Sequence, residues 1–207
     1  MVISGPGIKP GSSFEFVASN VDTMPTALGL AGIPTPASMD GRSFAHLLLT
    51  NLEEAPPPAR SLLASAASPA AWRTDQLIEY GGGGPVVRYE HLEDIHNNTF
   101  RCLRCAPQPR NSRCDSDSLT DGGCSGCSVV DPSAAAAGLS DAKLCEFVGW
   151  ADWNFTSGGA DSEYELFDLA EDPFELKNLW ASEGSGRGAA LKKRLDALYT
   201  CAGASCN

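Results

Sequence analysis

A chain of 207 residues with 43% hydrophobic and 20% charged residues can bury one sizeable core, while 21 Gly and 14 Pro imply long stretches of loop. Its formal net charge of −11, with no block of Lys or Arg, argues against nucleic acid or an anionic membrane surface as a partner. No apolar run approaches the roughly 20 residues of a membrane span, and residues 1–30 lack the basic start and apolar stretch of an export signal.

Met1-Val2-Ile3-Ser4 reads as a short strand running into the turn Gly5-Pro6-Gly7, so the chain is expected to begin inside a strand. Asn20-Val21-Asp22 offers caps for a helix with Pro25 in its first turn, Met24, Leu28 and Ala31 on one face and Gly32 as its stop. After Pro34, Pro36 and the turn Asp40-Gly41, a second short helix with Phe44, Leu47 and Leu48 ends near Asn51. Residues 53–71, rich in Ala, Pro and Ser, form a linker. Strands are expected at Asp75–Tyr80, closed by Gly81 to Gly84, and then at 99–104, 144–150 and 163–169. The glycine run is a connector rather than a phosphate loop, since no Lys-Ser or Lys-Thr follows it. Residues 105–142, rich in Cys, Ser, Asp and Gly, read as an insert. Leu191, Leu195, Leu198 and Tyr199 recur at helical spacing between Gly188 and Thr200. Strands followed by a closing helix indicate α+β organisation, a small antiparallel sheet packed by helices.

Eight cysteines and the N-glycosylation acceptors at Asn97 and Asn154 favour an oxidising, secretory compartment, lysosomal or extracellular. Cys102, Cys105, Cys124 and Cys127 form two C-x-x-C pairs at the spacing of a four-thiolate zinc site. The intervening Cys114 and the two acceptor sites favour disulfides, with zinc as the alternative. Cys201 and Cys206 suit a local staple, and Cys102 could bridge Cys145 if their strands pair. His46, among leucines, is a packing residue. His91 and His96, near Glu90, Glu93 and Asp94, form a cluster whose spacing fits neither a helix face nor a strand face. No nucleophile elbow, zinc-protease helix or dinucleotide fingerprint occurs.

Gly5-Pro6-Gly7-Ile8-Lys9-Pro10, Asn20-Val21-Asp22-Thr23-Met24-Pro25-Thr26 and Met39-Asp40-Gly41-Arg42-Ser43-Phe44 resemble the segment that closes the catalytic domain of type I sulfatases. Tyr164-Glu165-Leu166-Phe167-Asp168-Leu169 with Glu171-Asp172-Pro173-Phe174-Glu175-Leu176-Lys177-Asn178-Leu179 resembles that family's C-terminal strand and turn. Trp72-Arg73-Thr74-Asp75, Leu144-Cys145-Glu146-Phe147 and the Cys201 to Cys206 pair are similar to N-acetylglucosamine-6-sulfatases and algal arylsulfatases.

The resemblance implies that residues 1–52 end an alkaline-phosphatase-like α/β domain and that 72–207 form a C-terminal subdomain with an insert at 105–142. It also implies hydrolysis of sulfated glycans or aryl sulfates by a formylglycine, made from Cys in a C-x-P-x-R motif and held beside calcium. Cys105-Ala106-Pro107-Gln108-Pro109 is the nearest approach to that motif and lacks its Arg. Nucleophile and calcium ligands are therefore expected in an N-terminal catalytic portion, leaving this chain inactive alone and with no cofactor of its own. His91 and His96 are expected to touch the sugar. A non-catalytic glycan-binding or interaction module, or a zinc-binding structural module, is the alternative.

Overall fold

The computed structural model describes residues 1–13, 16–49, 53, 57, 59–60, 72–81, 99–106, 141–149, 155 and 162–206. Two compact units divide the chain, Met1–Arg73 together with Thr200–Asn207, and Thr74–Tyr199.

In the first unit a 3-10 turn, Asn20–Asp22, leads into α1 (Thr23–Leu30). Pro25 is tolerated because an amide in the first turn has no helical carbonyl to reach. The helix stops at Gly32, whose φ of 73° suits a residue without a Cβ. Its buried face is Pro25, Thr26 and Gly29, not the expected Met24, Leu28 and Ala31, and Met24 is 58% exposed. The reason is close approach, since a Cβ on Gly29 would press into the side chains of Ser43 and Ala45. Helix α2 (Ala45–Leu48) carries Leu48 into a cluster with Phe44 and Trp72, against which Ile3, Ile8 and Phe16 pack. Phe16 and Phe44 rings lie 5.2 Å apart, and the Trp72 indole N–H donates to the Val17 carbonyl at 2.7 Å.

Met1–Ser4 is not the expected strand, and Met1 and Val2 are exposed while Ile3 turns inward. A ladder needs a neighbouring strand, and among the described residues this unit has only the single bridge Ile8↔Leu49. The tail returns to the same unit, where Gly203 donates its N–H to Asp40 Oδ1 at 2.5 Å.

The second unit is a four-stranded antiparallel sheet in sequential order, β1 (Asp75–Tyr80), β2 (Thr99–Cys105), β3 (Ala142–Val148) and β4 (Glu163–Asp168). The register places Leu77, Leu103, Leu144 and Leu166 in one cross-strand row. Leu191 and Leu195 of α4 (Ala189–Thr200) close over that row. Each fully buried leucine contributes about 1.5–3 kcal/mol, so this row and its helix are the core of the unit. On the opposite face Tyr80, Phe100 and Phe147 line up across three strands with ring centroids 5.5 Å apart in each pair.

Between β4 and α4 the chain makes a short helix α3 (Trp180–Glu183) and a π turn, Gly184–Gly188. The Trp180 ring fills the space that Cβ atoms on Gly184 and Gly188 would need, and it stacks on Tyr164 at 4.3 Å. Asn178 covers the free edge of β4, accepting from the Leu166 amide and donating to the Tyr164 carbonyl. Among the described residues no helix is long and apolar enough to cross a membrane.

Candidate functional site

Among the described residues, each unit holds a buried charged cluster where chemistry is conceivable. In the first unit Asp22 is fully buried at the start of α1. Its carboxylate accepts from the Ser19 amide at 2.8 Å, the Arg42 amide at 2.8 Å and the Arg73 guanidinium at 2.5 Å. Its carbonyl accepts from Thr26 Oγ1 at 2.7 Å, and that hydroxyl accepts from the Phe44 amide at 3.1 Å. Asp22 and Thr26 thus clip residues 42–44 onto α1. Gly41 is required at the crossing, because a Cβ there would overlap the Val21 carbonyl.

Arg42 and Arg73 stand 4.9 and 5.2 Å from the centre of the Trp72 ring, and His46 lies 6.0 Å from it. Burial, and then Arg73, lowers the Arg42 pKa. Burial, and then Arg42, lowers that of His46. The His46 Nε2 is buried without a hydrogen-bond partner. This imidazole therefore stays neutral more readily than a free one, but Asp22 is occupied by two backbone amides and a guanidinium and cannot orient it as a general base.

In the second unit the cross-strand pair Arg101↔Glu146 lies beneath α4 with both side chains almost fully buried. Arg101 donates to Glu146 Oε2 at 2.8 Å through Nε, and to Asp196 at 2.6 Å. Lys192 reaches Asp196 at 2.6 Å, and the Tyr164 hydroxyl donates to Glu146 Oε1 at 2.7 Å. The Phe155 and Tyr199 rings each lie 4.6 Å from the Arg101 guanidinium. Burial, and then the Glu146 hydrogen bond, pushes the Tyr164 hydroxyl up to about 12, so it remains a phenol at neutral pH. Arg194 of α4 adds a two-point clasp on the buried Asp75, at 2.7 and 3.0 Å. These charges fasten helix to sheet, so among the described residues of the cluster none stands as a nucleophile or free proton acceptor.

Asp22, Arg42, Arg73, Arg101 and Glu146 were not legible as clusters in the sequence. Arg101 and Glu146 are 45 positions apart and meet only through strand register, while the Asn-Val-Asp capping signal alone hinted at Asp22. His91, His96, Asn97, Asn154, Cys124 and Cys127 lie outside the described residues.

Cys102 and Cys145 face each other across β2 and β3 and form a disulfide, as do Cys201 and Cys206. Cys105 is also disulfide-bonded. This corrects the zinc alternative, since Cys102 and Cys105 are oxidised and a disulfide sulfur is no longer the thiolate that zinc requires. Calcium fits the described residues no better, because among them no three His, Cys, Asp or Glu side chains converge and the buried Asp22 is already saturated by donors.

No protein-family model matches the chain. It is 25% identical over its whole length to the N-acetylglucosamine-6-sulfatase of Capra hircus and spans 30% of that protein. It is 47% identical over 49 residues, 24% of the chain, to the extracellular sulfatase SULF-1 homolog of Drosophila melanogaster, of which this is 4%. The solved structure of BT4656 in complex with its substrate D-glucosamine-2-N,6-O-disulfate matches the fold with a TM-score of 0.50 and 20% identity, over 92% of this chain and 25% of that one. The similarity to sulfatases expected from the motifs thus extends along the whole chain, which spans 30% of the length of the N-acetylglucosamine-6-sulfatase it matches.

Proposed function

We propose that this chain, related throughout to sulfatases, supplies the closing segment of a sulfatase catalytic domain and the C-terminal sheet that follows it. The parent activity is hydrolysis of a sulfate ester on a glycan, of the N-acetylglucosamine 6-sulfate type. The observation that carries this reading is the disparity in coverage, for the whole chain aligns while only 30% of the relative is used. The two clusters support it, because among the described residues each is engaged in holding together elements of its own unit.

On this reading the formylglycine and the calcium ligands belong to polypeptide outside the chain. Unit 1, with Ile3, Phe16 and Phe44 beside a cleft of about 760 Å³ running along residues 1–13, completes its core against that portion. The disulfides agree with a secretory-pathway enzyme. His91 and His96 are assigned to the substrate entrance on family resemblance.

The test is to assay the purified 207-residue chain and the same chain fused to the catalytic portion of an N-acetylglucosamine-6-sulfatase on N-acetylglucosamine 6-sulfate and on an aryl sulfate. The fusion should release sulfate and the chain alone should not. Turnover by the chain alone would refute the assignment, and an unchanged KM for His96→Ala in the fusion would remove that histidine from the sugar site.

A further inference from the structure

The turn after β4 puts two large apolar side chains into solvent, Phe174 at 81% and Leu176 at 84% exposure. Exposed hydrophobics are ordinary when scattered, but these flank a single residue and their backbone is tightly held. The Glu175 amide donates to the Asp172 carbonyl at 3.1 Å, and the Lys177 amide to Asp172 Oδ2 at 2.8 Å. Lys143 of β3 ties down the Glu175 carboxylate. Glu175 itself sits at φ 57°, a conformation that disfavours any residue with a Cβ, so a strained turn is maintained in order to hold its neighbours outward.

We infer that Phe174 and Leu176 are anchors for a partner protein whose contact surface combines apolar side chains with Lys or Arg. Charge complementarity selects that partner. From Glu163 to Glu175 the chain carries six carboxylates, Glu163, Glu165, Asp168, Glu171, Asp172 and Glu175, and no basic residue. Lys143, paired with Glu175, Arg187, which acts on Asp168, and Lys177 in the turn are fewer than these carboxylates and only partly offset them. The same charge weighs against a second copy of this chain, whose net −11 would repel it. Because the turn is already ordered, docking loses little conformational entropy.

The test uses the full chain and a synthetic amphipathic helix of Leu and Lys as probe, with a Leu and Glu helix as control. The Lys helix should bind, and Phe174→Ser with Leu176→Ser should weaken it by about tenfold or more, as expected for anchors rather than for general electrostatic attraction. Both changed side chains are exposed, so an unaltered unfolding curve checks that the fold persists. Equal binding to wild type and double variant, equal binding of the Glu helix, or self-association abolished by the double variant would each overturn the inference.

Discussion

Removing the Glu146 carboxylate should unfold the second unit far more readily than removing the whole ion pair. Arg101 is 4% exposed, and its other carboxylate partner, Asp196, is 47% exposed and screened by water. Glu146→Ala therefore leaves a buried guanidinium with one weak counter-charge and strands the Tyr164 hydroxyl, a loss of about 3–5 kcal/mol for a broken buried pair. Arg101→Met with Glu146→Leu removes both charges together and keeps apolar volume beneath α4. The residual cost is about 1 kcal/mol for the Tyr164 hydrogen bond, plus a similar sum for the Asp196 and aromatic contacts. The double variant should thus lie within about 2 kcal/mol of wild type. Native-state hydrogen exchange at the β2 and β3 amides reads the opening free energy of this unit by itself. A double variant as unstable as Glu146→Ala would refute the view that desolvation dominates here.

In the first unit, Asp22→Ala should cost about 3–5 kcal/mol and raise exchange at the Arg42 amide, which loses its acceptor. Gly41→Ala should cost about 1–3 kcal/mol through overlap with the Val21 carbonyl, measured by the urea midpoint. His46 titrates below its ordinary value in the folded chain because of burial and Arg42. Its contribution to stability is therefore complete above about pH 6.5 and disappears as the pH falls through the folded value. The opening free energy of residues 42–48, taken from exchange rates relative to the intrinsic rate at each pH, should fall over that interval in wild type and stay level in His46→Leu.

How much could be read beforehand followed the range of the interactions. The four strands were legible from apolar alternation and flanking turn residues, and α4 from Leu191, Leu195 and Leu198. Met1–Ser4 failed because strand character is a property of a pair, and no neighbour is supplied among the described residues. The buried face of α1 was misread since it packs through Gly29 and Thr26, where closeness counts for more than hydrophobicity. Trp180 gave no signal of its own in the sequence, because its ring is placed by the absence of a Cβ on Gly184 and Gly188. The C-x-x-C pairs imitated a metal site until the register set Cys102 opposite Cys145.

The composition of the first unit has a consequence for synthesis on the ribosome. Gly203 is held by Asp40, at a backbone position where a Cβ would strike Ala37, so residues 200–206 are structural parts of the unit that contains Met1–Arg73. Residues 1–73 therefore stay incompletely assembled until residues 200–206 have been synthesised. A truncation that spared every described strand and removed only the residues after Thr200 would therefore do its damage around Asp40, 163 positions before Gly203.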